Sequence, residues 1–121
     1  MAIEILDKGA CRAFGIVSTD QLAPGCQSLG IASADYSGGT TGRVELILER
    51  PIDPAAFVAL STVQIVPFTV AGPIRIGMVD QTRVRIETYD TQSPAVLEPK
   101  NIFFAFFSLD GLAAATIIPP P

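Results

Sequence analysis

The sequence predicts an all-β domain, a compact barrel or sandwich of about seven to nine short antiparallel strands. Three observations lead there. Ten glycines and ten prolines are spread through 121 residues, and each proline removes a backbone donor and clashes with the preceding helical turn. Two stretches, "GRVELILER" at 42–50 and "TRVRIETYD" at 82–90, alternate apolar and polar residues with the period of a half-buried strand. Only one segment, near 53–60, carries a helix-start signal, so at most one short helix is expected. No repeat of a solenoid or propeller period is present.

Taken in order, "AIEIL" at 2–6 alternates and reads as a short strand, and "FGIV" at 14–17 as a second. "LAPG" at 22–25 is a turn, with Pro24 fixing φ and Gly25 free to take positive φ. "SLGIASA" at 28–34 reads as an edge strand, and "SGGTTG" at 37–42 as a mobile hairpin loop. In the next strand Val44, Leu46 and Leu48 share one face, opposite Arg43, Glu45 and Glu49, with Ile47 the exception. At 52–60, Asp53 can accept early amide hydrogens and Pro54 suits a first helical position; a turn running directly into a strand is the competing reading. "STVQIVPFTV" at 61–70 is a strand interrupted at Pro67, followed by "GPIRIGMV" at 72–79. In 82–90, Val84, Ile86 and Thr88 oppose Arg83, Arg85, Glu87 and Tyr89. A loop framed by Pro94 and Pro99 leads to "NIFFAFF" at 101–107, which is apolar on both faces, Phe103 with Phe107 and Phe104 with Phe106. "LAAATII" at 112–118 reads as a last strand or arm. The chain is thus one β domain over 1–121, with 109–121 set off as an extended C-terminal arm.

The chemistry available narrows the function classes. There is no histidine, which removes the usual neutral-pH base and the commonest metal ligand. Cys11 and Cys26 cannot by themselves supply a zinc site; they read as reduced thiols rather than a disulfide, because the N-terminal "MAIEILDKG" is acidic where an export signal is basic. A net charge of −4 and only two lysines, Lys8 and Lys100, argue against nucleic acid. No apolar run approaches the about 18 residues of a spanning helix, so no membrane partner is expected. Asp80, Glu87, Asp90 and Asp110 are the carboxylates open to a glycosidase-like pair, yet they read as turn caps and ion partners. The "SGGTTG" loop lacks the Lys-Ser/Thr ending of a phosphate loop and precedes a strand rather than a helix.

No enzyme is therefore expected, no cofactor, and no small-molecule ligand. With only 17% charged residues and little helix, a strand apolar on both faces is expected to turn one side to another chain, purely internal packing against a second sheet and the short helix being the alternative. The expected role is a structural subunit of a symmetric homo-oligomer or a larger host particle. Small, charge-poor, histidine-free β proteins occur as virion capsid, tail or capsid-decorating components, so a virion or other particle is the expected location, the cytoplasm otherwise. The candidate contact residues are Phe103, Phe104, Phe106, Phe107, Leu109, Ile117 and Ile118. The alternative is a β-scaffold module binding a ligand or protein through the 37–42 loop or the arginine-bearing strand face.

Overall fold

The computed structural model describes residues 11–63, 72–93 and 95–109. Within them the chain forms β1 (Cys11–Ser18), β2 (Cys26–Leu29), β3 (Ile31–Asp35), β4 (Arg43–Leu48), β5 (Phe57–Val63), β6 (Ile74–Asp80), β7 (Arg83–Thr88) and β8 (Asn101–Ser108). One sheet has the order β2-β1-β8-β5 and the other β3-β4-β7-β6, with every neighbouring pair antiparallel. The sheets pack against each other as a sandwich, and both contribute to the core between them. The all-β expectation is borne out.

Alternation decides which side chains meet in that core. Val44, Leu46 and Leu48 of β4 and Val84 and Ile86 of β7 face Val17 of β1 and Ile102, Phe104 and Phe106 of β8. The Phe106 ring stacks at 4.9 Å on Phe104 and at 5.4 Å on Phe57, within the range of favourable tilted aromatic pairs. Gly15 of β1 lies across from Phe104 and Ser28; a Cβ there would strike the Gln27 carbonyl, so only glycine lets β2 close on β1.

Two places depart from the sequence expectation. The edge strand expected over 28–34 is two strands in different sheets. Gly30, at φ 84°, turns the chain from β2 to β3, and a side chain there would also strike the Arg12 carbonyl. The helix expected near 53–60 is a single 3-10 turn, Pro54–Ala56, capped by Asp53 Oδ1 accepting from the Ala55 amide at 3.0 Å. From Phe57 onward, seven ladder partners in β8 outweigh helix formation. The strands expected at 2–6 and 112–118, the Pro67 interruption and the arm beyond Leu109 lie outside the described residues.

One end of the sandwich is closed by two buried hydroxyls. Thr19 and Thr88 meet Oγ1 to Oγ1 at 2.7 Å. Thr88 also donates to the Glu98 carbonyl at 2.6 Å, and Thr19 accepts from the Lys100 amide at 2.9 Å. The strand ends of both sheets are thereby tied to the loop that enters β8. Cys11 and Cys26 are both free. Register accounts for this: Cys26 pairs with Val17, six positions along β1 from Cys11, which separates the two by roughly 20 Å.

Candidate interaction surface

In the β2-β1-β8-β5 sheet, β1, β8 and β5 are largely apolar on both faces, and the cross-strand register assembles the outward residues of all four strands into rows. The middle row reads Leu29–Phe14–Ala105–Leu60 from edge to edge. The row beside it reads Gln27–Ile16–Phe103–Thr62, and the third runs Cys11–Phe107–Val58. None of these residues is charged. Leu29 is 64% exposed, Leu60 61%, Phe14 45% and Phe103 41%. Four strands at about 4.8 Å spacing, of 4, 8, 8 and 7 residues across the sheet, make a face of roughly 450 Å² in plan. Apolar patches above a few hundred Å² are uncommon on monomers and mark interaction sites. The face is not flat. Ala105 stands between Phe103 and Phe107 along β8 and between Phe14 and Leu60 across it, and a hollow of about 240 Å³ opens beside it, lined by Leu60, Thr62 and Phe103.

The outer face of the other sheet has the opposite character. Arg83 Nη1 donates to Asp35 Oδ2 at 2.7 Å and to Glu45 Oε1 at 2.8 Å. Arg85 reaches the second oxygen of Glu45 at 2.8 Å. Arg43 holds Glu87 at 2.6 Å, and Tyr89 donates to the same carboxylate at 3.1 Å. Ser37, and then Arg83, hold the Asp35 carboxyl well below the usual carboxylate range. Partial burial opposes ionisation of Glu45 and Glu87, but Arg85 with Arg83 at the first, and Arg43 with Tyr89 at the second, outweigh it and keep both carboxyls low. A cavity of about 210 Å³ joins this face to the 37–42 loop.

The expected contact residues divide. Phe103 and Phe107 lie on the outer face of β8, and Leu109, just past its end, is 45% exposed. Phe104 and Phe106 do not belong to a surface. They are 3% and 0% exposed within the core, because the inner face of β8 must fill the space between the sheets. Ile117 and Ile118 lie outside the described residues. Phe14, Leu29, Val58 and Leu60 were missed as surface residues. Their signal was present: "FGIV" and "FVAL" are apolar at successive positions, as "NIFFAFF" is. The carboxylates open to catalysis are engaged locally, Asp80 by the amide and hydroxyl of Thr82, Asp90 by the Gln92 amide and Glu87 by Arg43; Asp110 is not among the described residues. No three His, Cys, Asp or Glu side chains among the described residues come close enough to hold a metal. No described helix is long and apolar enough to cross a membrane.

No protein-family model matches the chain, and neither a curated protein nor a solved structure matches it.

Proposed function

We infer that the protein is a non-enzymatic structural subunit of a symmetric assembly, and that its subunit contact is the outer face of the β2-β1-β8-β5 sheet. The observation that carries this reading is the difference between the two outer faces: one has its charges paired side by side, the other has cross-strand rows with no charge at all. An apolar sheet face left in water forgoes about 25 cal/mol for each Å² it could bury, and interface centres are depleted in charge and enriched in phenylalanine. A virion capsid, tail or capsid-decorating role is the class of assembly that the composition fits.

Sedimentation velocity at micromolar concentration tests the reading. The chain is expected to sediment as an oligomer. Phe103→Ser, or Phe107→Ser, should shift it towards monomer with an unchanged far-UV circular dichroism spectrum. Phe106→Ser should instead unfold the chain, since losing a core phenylalanine costs about 3–5 kcal/mol. A wild-type chain that stays monomeric and binds no host particle overturns the proposal.

The cavity between the 37–42 loop and the arginine face favours a second reading, a binding module for a small anionic ligand or an acidic peptide. An anion there must displace Asp35 or Glu45 from Arg83, so salt-dependent binding lost in Arg83→Gln is what this reading expects.

A further inference from the structure

The apolar face matches its own reverse. For two copies to meet through the same face, the two-fold axis must lie in the plane between them. An axis running along the strands between β1 and β8, the middle of the sheet, overlaps all four strands of each copy and places β8 over β1 and β5 over β2. The middle row then meets itself backwards. Phe14 comes over Ala105 of the second copy, and Leu60 over Leu29, twice each. In the next row Ile16 meets Phe103, and the two polar residues, Gln27 and Thr62, meet each other. A large ring is set against the smallest side chain of β8, beside the hollow already described.

We propose that the outer face of the β2-β1-β8-β5 sheet pairs with the same face of a second copy across this axis, Phe14 of each copy entering the hollow at Ala105 of the other. The inference rests on reading this face as a subunit contact and adds the partner and the pairing.

Three observations favour a second copy over other occupants. The three rows carry no charge, with Arg12 at the β1 bulge standing at their margin beside Phe14 and Leu29, so they offer little to the ion-paired face of a neighbour, and a head-to-tail stack would bury Arg83, Arg85 and Glu45 against phenylalanine. Desolvating such ions costs several kcal/mol each. The plan area of roughly 450 Å² is increased by side chains that stand out from the sheet, which brings it to the order of the about 800 Å² per partner of a stable interface. Size complementarity is present within the register itself, at Phe14 and Ala105. Sheets packed this way sit about 10 Å apart with their strands about 30° off parallel, an angle that leaves the middle row together and spreads the outer ones.

A size-swap experiment tests the pairing. Wild-type chain is expected at twice the monomer mass by light scattering, alone or as the repeating unit of a larger even-numbered particle. Phe14→Ala and Ala105→Phe, both on the outer face and so sparing the core, should each raise the dissociation constant about 30-fold or more, the scale of a central aromatic anchor. The double variant Phe14→Ala/Ala105→Phe restores a large-on-small fit and should recover most of the loss. Circular dichroism of all three should match wild type. If each single variant dissociates the oligomer but the double variant stays dissociated, or if the mass is an odd multiple, the face remains a contact and the two-fold pairing is wrong. If neither single variant changes the mass, or the wild type is monomeric at 100-fold higher concentration, the pairing and the contact reading fall together. A monomer that floats with phosphatidylcholine vesicles would give the face to a lipid surface and overturn both.

Discussion

At the scale of single residues, Thr88 holds more than its size suggests. Its hydroxyl meets Thr19 and donates to Glu98, and both threonines are fully buried. Thr88→Val keeps the shape and removes the donor, leaving the Glu98 carbonyl unpaired. The expected loss is about 1–3 kcal/mol, read from the urea midpoint with an unchanged m-value. The inward position of Thr88 is legible in the alternation of "TRVRIETYD". Its partner is not, because Thr19 lies 69 positions earlier, just past the end of β1, where no periodicity marks it. The phenylalanines show the same limit. Alternation sorts Phe103 and Phe107 from Phe104 and Phe106, but a strand apolar on both sides looks the same when turned over. The neighbour that breaks the tie is Phe57, which stacks on Phe106 and begins where a helix was expected.

At the scale of elements, β4 and β7 form a ladder in which two of the three outward rungs are ion pairs. The register sets Arg43 beside Glu87 and Glu45 beside Arg85. Asp35, Glu45 and Glu87 all have carboxyl pKa values below the ordinary range in the folded chain. Stability from these groups is fully present above their unfolded values of about 3.9 and 4.3. It is lost as pH falls below them and through the lower folded values. With no histidine in the sequence, little side-chain titration falls between pH 5 and 8. The melting temperature should therefore be level from pH 8 to 5 and drop between pH 4 and 2, and the drop should shrink in Glu45→Gln. A network of arginines with the Glu45 face is legible from sequence; the share taken by Asp35 depends on β3 lying at the edge beside β4. That placement needed the turn at Gly30, and a glycine in sequence does not declare the sign of its φ.

At the scale of the whole molecule, the sandwich follows from alternation and turn residues, which act locally and can be read locally. The candidate surface is less legible because exposure depends on which sheet covers which, and that is settled by pairings such as β1 with β8, about 90 positions apart. The charge-free rows exist only once four separate strands lie side by side. The contrast between the two outer faces sets how the protein should answer added salt. Sulfate at high concentration shortens the reach of exposed charges to a few Å, loosening the Arg83 and Arg43 pairs, while it drives apolar surfaces together by its exclusion from them. Subunits joined through the apolar face should consequently associate more tightly in sodium sulfate, even as the fall in melting temperature between pH 4 and 2 becomes smaller. An assembly held by its ions would come apart under the same treatment, so the dissociation constant measured against sulfate tells which side of the sandwich is the adhesive one.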